Sequence, residues 1–400
     1  MEIVYRLYGI IHLLAKKIIG RSTLRAGKIK ILQSYRRCKS LEESINLWHK
    51  FISHSQIGGQ VSGMNTHFAG YIAENDEWCL PSWIWTNAAI VRLWCETGEL
   101  EKAKNLSNAL MSFQQNCGGW IVRDDYDANG AKPILAPNDS AYIANNAFLS
   151  LYEVTKDKQY LNVAIRCADW IIETARPDGI VYTGYNMRDD KWDKSCVIVD
   201  TGFTAGLFAK LAEITGESKY LVFLELFVKR YIELFYITDK MGFCTSIDEN
   251  NRQQGGMFAR GQAWALEGLI PAYKVLKSDQ IKTVIEETIN NLLRQQRKNG
   301  GWPYNLTRKL MGEDCKAVSV IAKDMMDWYF LTNDERIIVS AQNALLWCIN
   351  HTARDGEGKG GIFSYCTEGG VVKDLYTSCA FVYSSVYAVE LEKQLNLCKS

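Results

Sequence analysis

The sequence predicts an all-α fold, an (α/α)6 toroid in which six helical hairpins of about 60 residues close into one ring. Three observations support this prediction. Glycine-led turns recur at a near-constant spacing, threonine-containing turns recur at the same spacing, and the segment before each threonine turn is more apolar than the segment after it. A fixed period of this length is typical of repeat architectures.

The glycine-led turns are the first landmark of the repeat, and most of them precede an apolar or aromatic residue. Counted from Gly59, the successive intervals are 60, 60, 63, 59 and 60 residues. The turns are Gly58-Gly59, Gly118-Gly119-Trp120, Asp178-Gly179-Ile180, Gly242-Phe243, Gly300-Gly301-Trp302 and Gly360-Gly361-Ile362.

Threonine-containing turns are the second landmark, at Thr97, Thr155, Thr215 and Thr332, with steps of 58, 60 and 117 residues. The last step equals two repeats. The segment from Thr201 to Ile214 is apolar almost all round, which predicts a buried inner helix, whereas Lys219 to Phe235 is amphipathic and predicts an outer helix. All inner helices then run in the same direction, and we expect their N-termini to meet at one mouth of the ring.

Composition and charge favour one globular domain. With 46 basic and 45 acidic residues the net charge is +1, so no global field favours nucleic acid. No run of Pro, Gly or Ser resembles a linker. We therefore expect a basic amphipathic N-terminal extension over residues 1–45 and a single toroid over residues 46–400. The twelve cysteines are scattered without a CxxC pair, which favours reduced thiols and a cytoplasmic location.

The N-terminal extension contains an apolar stretch from Ile3 to Ile19, but Arg6, His12, Lys16 and Lys17 interrupt it. A membrane-spanning helix and a cleavable signal both need a cleaner apolar run. Two alternatives remain: an amphipathic helix that packs on the toroid, or an interfacial helix that makes weak contact with a membrane surface.

Charged residues recur where the inner helices are predicted to begin. Asp139 and Asp200 lie 61 residues apart, at equivalent places in neighbouring repeats, and Asp314 and Asp374 follow in later repeats. Each aspartate could be a helix N-cap. Alternatively, Asp139 and Asp200 form a catalytic pair at the mouth, in which mutual repulsion keeps one carboxyl protonated for general acid and base work on a sugar.

The next repeat supplies Arg260, Gln262 and Trp264 in the motif Arg-Gly-Gln-Ala-Trp. A buried arginine needs an anionic partner, which is either a neighbouring aspartate or a substrate carboxylate. Gln262 and Trp264 are candidates for hydrogen bonding and sugar stacking. Further aromatic residues in the predicted mouth loops fit a sugar-stacking cleft, although each alone could equally pack in the core: Trp83, Trp85, Trp120, Tyr185, Trp192 and Trp302.

These motifs resemble the unsaturated glucuronyl hydrolases of glycoside hydrolase families 88 and 105, over roughly residues 80 to 390. The most specific pieces are Val199-Asp200-Thr201, the motif from Arg260 to Ala265, and Asp314 in Gly312-Glu313-Asp314-Cys315-Lys316-Ala317. The resemblance implies an oligosaccharide substrate and hydration of the C4=C5 double bond of a terminal unsaturated uronic acid. It assigns Asp200 as general acid and base, Asp139 as its assistant, and the motif with Arg260, Gln262 and Trp264 to holding the uronic acid, and Asp314 matches a further family position. We expect Asp314, Asn138 and Trp85 to bind substrate as well. No metal or cofactor is implied.

Two positions depart from the family pattern. Asn138 stands where many members carry histidine, and the loop from Met241 to Gln254 lacks the histidine that contacts substrate in the family. Asparagine can hydrogen-bond a sugar, but it does not titrate near neutral pH. Two alternatives therefore stay open: an enzyme that acts on saturated polysaccharide chains, and a noncatalytic carbohydrate-binding protein.

Overall fold

A computed structural model describes residues 38–57, 66–72, 77–78, 84–122, 133–307, 313–368 and 372–398. Its α-helices are, in chain order, α1 (Leu41–His54), α2 (Ile84–Thr97), α3 (Leu100–Phe113), α4 (Pro137–Ile143), α5 (Ser150–Thr155), α6 (Lys158–Thr174), α7 (Phe203–Thr215), α8 (Ser218–Phe235), α9 (Ala259–Leu276), α10 (Asp279–Gln295), α11 (Cys315–Thr332), α12 (Glu335–His351) and α13 (Val382–Leu397). A π-helical segment, Ala144–Leu149, joins α4 to α5 into one inner helix.

The helices form the predicted toroid of inner and outer layers. The inner layer, made of α2, α4–α5, α7, α9, α11 and α13, is buried almost all round, as the apolar segments predicted. The outer helices α3, α6, α8, α10 and α12 bury one face each. The all-α (α/α)6 fold class is therefore confirmed.

The ring closes through its two ends. The first described helix, α1, is an outer helix, and it packs against the last inner helix, α13, which in turn packs against α2. The sixth hairpin is thus shared between the two ends of the described chain and is not a consecutive unit. Because α1 begins at Leu41, after the N-cap Ser40, the predicted division at residue 45 falls inside this helix.

The threonine turns end four inner helices in the same way. The hydroxyl groups of Thr97, Thr155, Thr215 and Thr332 donate to the carbonyl oxygen four residues earlier, at 2.7–3.0 Å. In each case the following residue is left-handed, which ends the helix and starts the short turn to the outer helix.

The glycine turns follow the outer helices and hold neighbouring hairpins together. A Cβ on Gly118, Gly300 or Gly360 would lie 2.0–2.3 Å from a carbonyl oxygen of the next outer helix, so only glycine permits this approach. Gly360 makes its approach to Leu47 of α1, which extends the repeat contact across the ring closure. Trp120 and Trp302 follow two of these turns and are fully buried, so neither lines a sugar-stacking cleft.

Short strands lie between an outer helix and the next inner helix in five of the six connections, whereas between α10 and α11 the described residues form only isolated bridges. In chain order the strands are β1 (Gln56–Ile57), β2 (Thr66–His67), β3 (Gly70–Ile72), β4 (Glu77–Trp78), β5 (Ile134–Leu135), β6 (Gly184–Asn186), β7 (Lys191–Asp193), β8 (Cys196–Ile198), β9 (Tyr236–Ile237), β10 (Gly242–Phe243), β11 (Ser246–Asp248), β12 (Gln253–Gln254), β13 (Phe363–Glu368) and β14 (Val372–Phe381). They pair antiparallel in five small sheets, ordered β1-β2, β9-β10, β5-β6-β7, β8-β11-β12 and β13-β14-β3-β4.

The prediction that Asp374 opens the last inner helix is wrong. Asp374 lies inside strand β14 and not at the start of the last inner helix, which begins at Val382. The prediction was wrong because the sequence of this repeat continues as a long hairpin, β13–β14, before its inner helix begins.

The predicted N-terminal extension lies largely outside the described residues, so its helix and its membrane contact stay predictions. Of the helices that the structure describes, none has the length and apolar composition needed to cross a membrane. The nine cysteines with described side chains form no disulfide. The cytoplasmic location also remains a prediction.

Candidate active site

The two predicted catalytic aspartates lie at the start of neighbouring inner helices. Asp139 is the third residue of α4, and Asp200 lies in the 3-10 turn Val199–Gly202 that leads into α7. Strands β5 and β8 run directly into these positions. Leu135 of β5 pairs with Tyr185, and Val199 donates its N–H to the carbonyl of Thr245 at 3.0 Å, so small sheets fix both chain entries.

Neither aspartate is a helix N-cap. The N-cap of α4 is Ala136, and the N-cap of the 3-10 turn is Ile198. The Asp200 carboxylate accepts hydrogen bonds from the backbone N–H groups of Asp200 itself and Thr201, which stabilise its ionised form. Asp139, in contrast, accepts no capping hydrogen bond from a backbone N–H group among the described residues. Helix capping therefore does not explain why this position is an aspartate.

Burial and proximity raise the pKa of both carboxyls. Asp139 is 9% exposed, and burial together with the charge of Asp200 raises its pKa well above the ordinary value. Asp200 keeps partial access to solvent, yet the dense protein around it raises its pKa to about 6, against the lowering effects of Arg260, Asn138 and the backbone N–H groups. Both carboxyls therefore hold their protons to higher pH than an ordinary aspartate does, and because the charge of Asp200 contributes to the shift of Asp139, the two titrate as a pair.

Asn138 connects the two carboxyls. Its Nδ2 donates to Asp139 Oδ1 at 3.2 Å, and its side chain also hydrogen-bonds Asp200. Its own Oδ1 is buried and accepts no hydrogen bond from the described residues. Asn138 therefore acts within the acidic pair, as a link between its two carboxyls.

Arg260 lies near Asp200 and pairs with Asp314. Its Nη1 is 3.8 Å from Asp314 Oδ2, and its positive charge lowers the pKa of Asp200. The guanidinium also lies 5.1 Å from the ring centre of Phe258 and 5.2 Å from that of Trp264. The structural alternative for Arg260, an ion pair with an aspartate of a neighbouring repeat, is thus present in the structure.

Gln262 does not fit its predicted role in substrate binding. It is 1% exposed, and its Oε1 accepts the N–H of Phe243 at 2.7 Å. Its Nε2 donates to the carbonyls of Phe243 at 2.9 Å and Phe258 at 3.2 Å, which uses both amide hydrogens. Gln262 therefore fastens strand β10 to the start of α9 and offers no donor to a sugar.

Trp85 and Trp264 belong to a ring of aromatic side chains near the start of the inner helices. Neighbouring ring centres in this ring are 4.7–5.9 Å apart, and five of the six inner helices contribute. The members of this aromatic collar are Trp85, Tyr142, Phe203, Trp264 and Tyr383. Tyr142, Phe203 and Tyr383 are only 2–6% exposed, so within the collar it is the half-buried Trp85 and Trp264 that keep ring surface open to solvent.

Sequence reasoning identified only two members of the aromatic collar. Tyr142, Phe203 and Trp264 are nevertheless spaced at 61 residues, each three or four positions after Asp139, Asp200 or Arg260. The signal was present in the repeat, but it appears only when the repeats are aligned on the charged residues. Tyr185 and Trp192 pack on one another across β6–β7 and against Trp170 of an outer helix. Trp83 lies outside the described residues.

A buried ionic layer below the collar was also missed. Arg92 of α2 pairs with Glu390 of α13 at 2.7 Å and with Glu267 of α9 at 3.2 Å. Tyr387 donates to Glu267 at 2.7 Å, so the 2.8 Å hydrogen bond between Tyr142 and Tyr387 takes its proton from Tyr142. This chain of hydrogen bonds ties the collar to the charged layer. Arg92 lies within an otherwise apolar helix, where the sequence shows no periodic signal for it.

Within the described ranges, no cluster of three or more His, Cys, Asp or Glu side chains has the geometry to hold a metal ion.

The chain belongs to Glycosyl Hydrolase Family 88, whose model matches residues 64–390. This confirms the family resemblance and defines the protein as a glycoside hydrolase-type enzyme. A comparison with curated proteins gives no significant match.

The proteins whose solved structures share this fold include enzymes named for several different sugar reactions. An unsaturated glucuronyl hydrolase specific for heparin superposes with a TM-score of 0.70 at 16% identity, over 90% of this chain and 97% of that one. A GH76 α-mannanase from Bacteroides thetaiotaomicron gives 0.65 at 14%, over 90% and 97%. A sugar epimerase from a ruminal bacterium gives 0.70 at 13%, over 88% and 97%. At such identities the likeness shows the fold alone.

Proposed function

We propose that this enzyme hydrolyses oligosaccharides that end in an unsaturated uronic acid, by adding water across the C4=C5 double bond. The observation that carries the proposal is the acidic pair: Asp139 and Asp200 converge at the mouth of the toroid, and burial raises the pKa of both. A carboxyl with a pKa of about 6 can give and take a proton under mild conditions.

In the proposed reaction Asp200 acts first as an acid and then as a base. Its proton adds to C4, a water oxygen adds to C5, and the proton lost by that water returns to Asp200. The oxygen added at C5 makes a hemiketal, which opens and leaves a hemiacetal at C1. Collapse of the hemiacetal releases the next sugar, so the net change is the consumption of water and the enzyme is regenerated.

The neighbours of Asp200 support this role. Burial and the charge of Asp200 both favour the protonated form of Asp139, which limits the negative charge beside Asp200. Asn138 hydrogen-bonds both carboxyls and so links them. Arg260 brings positive charge close to Asp200, where the carboxylate at C5 of the substrate has to lie. Trp85 and Trp264 are half-buried and offer stacking surfaces.

The test is the loss of ultraviolet absorbance when unsaturated disaccharides are incubated with the purified protein. We expect the wild-type enzyme to bleach at least one member of a panel of unsaturated uronides. We expect Asp200→Asn to lose at least about a thousandfold in kcat/KM, because both proton transfers depend on this carboxyl. Arg336 pairs with Asp334 far from the mouth, and Asp334→Asn is a control variant that should retain activity.

A second candidate is an enzyme that acts on saturated chains. Asn138 favours it, because a side chain that does not titrate occupies the place of the family histidine. Release of reducing ends from saturated oligosaccharides, without activity on any unsaturated uronide, would establish this alternative and exclude the first.

A further inference from the structure

The guanidinium of Arg260 lies between two aspartates, but it forms its ion pair with only one of them. Its Nη1 is 3.8 Å from Asp314 Oδ2, whereas it acts on Asp200 through its charge and forms no ion pair with it. Both aspartates lie at the start of inner helices that neighbour α9. Which aspartate Arg260 pairs with therefore decides how strongly its positive charge stabilises the ionised carboxylate of Asp200.

Asp314 is fixed in place by its own helix. It is the N-cap of α11, it is fully buried, and its Oδ1 accepts the N–H of Lys316 at 3.0 Å. A carboxylate held by a cap has little freedom to follow a moving partner. Its second oxygen thus provides a fixed anchor for Arg260 on the α11 side of the mouth.

Aromatic rings limit the guanidinium further. Ring centres of Phe258, Trp264 and Tyr304 lie 5.1, 5.2 and 5.9 Å from the Arg260 guanidinium carbon. Phe258 and Tyr304 stack on each other at 6.4 Å, which makes this side of the pocket rigid. Arg260 is therefore held by an anion at one edge and by rings around it.

Four groups from three helices face Asp200. Asp139 and Asn138 approach from α4, Arg260 from α9, and Tyr231 from α8, where its hydroxyl donates to the carbonyl of Val199 at 2.8 Å. Arg260 is the only cation among these four groups. If it left Asp314 and paired directly with Asp200, it would favour the ionised carboxylate and oppose transfer of a proton to C4.

We propose that Asp314 is a positioning residue that holds Arg260 against α11 and so prevents it from forming an ion pair with Asp200. This inference rests on the proposed function, because it assigns Asp200 a proton to deliver. It also replaces the predicted role of Asp314 as a substrate-binding residue, since the Asp314 side chain is fully buried and committed to the cap and to Arg260.

The variant Asp314→Asn tests the inference, because asparagine keeps the capping oxygen and removes the charge. Loss of the Asp314 charge and transfer of Arg260 to Asp200 both lower the pKa of Asp200. We expect the alkaline limb of the kcat/KM profile to move down by about one pH unit, with an activity loss of about tenfold at neutral pH. Asp334→Asn is the matched control: Asp334 caps α12 and pairs with Arg336, but it lies away from the mouth.

A second readout needs no substrate. In the wild-type background, the melting-temperature difference between Asp200→Asn and its parent should develop from about pH 4 to about pH 6 and then stay constant. In the Asp314→Asn background this difference should stop growing about one pH unit lower, and its final size should be smaller. Circular dichroism and the melting temperature of Asp314→Asn establish that the variant is folded.

Three results would overturn the inference. An increase in KM with an unmoved pH limb would make Asp314 a direct substrate contact. A lower melting temperature, with no shift in the alkaline limb of kcat/KM or in the pH range of the stability difference, would show that Asp314 acts only as a helix cap. A shift of the alkaline limb to higher pH would show an effect of the opposite sign to the one proposed. A wild-type enzyme inactive on every unsaturated uronide would refute the proposed function, whereas the pH range of the stability difference would still decide where Asp314 holds Arg260.

Discussion

Replacing Asp200 by asparagine should stabilise the folded protein at neutral pH while it abolishes the proposed acid. Burial raises the pKa of Asp200 from 3.8 to about 6, so the folded state binds this proton more tightly than the unfolded state does. Each unit of difference corresponds to about 1.4 kcal/mol, which gives an upper value of about 3 kcal/mol. Because Asp200 keeps partial solvent access, we expect about 2 kcal/mol.

The pH dependence fixes the sign of this effect. Below about pH 4 the carboxyl is protonated in both states, so the variant and the wild type should be equally stable. Between about pH 4 and 6 the unfolded state ionises first and the wild type loses stability relative to the variant, and above about pH 6 the difference is complete. Unfolding entropy scales with length, so about 2 kcal/mol in a chain of 400 residues corresponds to a rise in Tm of about 2–3 °C.

The assay is thermal unfolding of both proteins in buffers from pH 4 to 8. Asp248→Asn is a matched control, because the N–H groups of Arg252 and Asn250 lower the pKa of this carboxyl at the end of β11 and asparagine preserves the same acceptor. Its expected effect has the opposite sign, a small loss of stability at neutral pH. A Tm difference for Asp200→Asn that is negative at pH 7, or constant from pH 4 to 8, would refute the reasoning.

Two further predictions concern the scaffold, and both use paired variants. Gly300→Ala should lower the free energy of unfolding by about 3 kcal/mol or more, because its Cβ would lie 2.0 Å from the carbonyl oxygen of Asn343. Gly98 has a similar positive φ but open space around it, so Gly98→Ala should cost only about 1 kcal/mol. Thermal or urea unfolding measures both. Equal losses would show that backbone conformation alone requires glycine there. Gln262→Ala should cost about 2–3 kcal/mol by leaving the N–H and carbonyl of Phe243 without the partner they have now, and the exposed Gln254→Ala should be neutral in the same urea titration. If Gln262→Ala left stability unchanged but raised KM, Gln262 would be a substrate contact after all.

The toroid could be predicted from the sequence because its packing imposes a repeated chemical requirement. Gly118, Gly300 and Gly360 each stand where a Cβ would strike the backbone of the next outer helix, so the spacing of these glycines records the spacing of the hairpins. The positions of Asp139 and Asp200 followed from the same count. Their equivalent positions in the repeat predict that both lie at the starts of neighbouring inner helices.

The closure of the ring could not be predicted from the same landmarks. No inner helix precedes α1 among the described residues, and no threonine turn marks it as an outer helix. Its contact with α13 joins residues more than 300 positions apart, and Trp48 also donates a hydrogen bond to Thr352, the residue that ends α12. No periodic pattern within one repeat contains this information.

The roles of individual polar residues were also beyond the sequence. Gln262 has a side chain suited either to a sugar or to a backbone strand, and only its position beside Phe243 decides between them. Arg260 needed an anionic partner on physical grounds, but the choice between Asp314 and a substrate carboxylate depends on where α11 begins. The sequence predicted these residues at the mouth of the toroid, but only the structure identifies the groups they contact.

The most direct test of the central claim is to run the reaction on an unsaturated disaccharide in D2O and to analyse the product by mass spectrometry and NMR. Protonation at C4 predicts one carbon-bound deuteron at C4 at early times, together with loss of the double bond and release of the second sugar. The Asp200→Asn variant should give none of these. A product that keeps its double bond and carries no deuteron on carbon, with cleavage at C1 alone, would contradict hydration and assign the acidic pair to an ordinary glycosidase reaction.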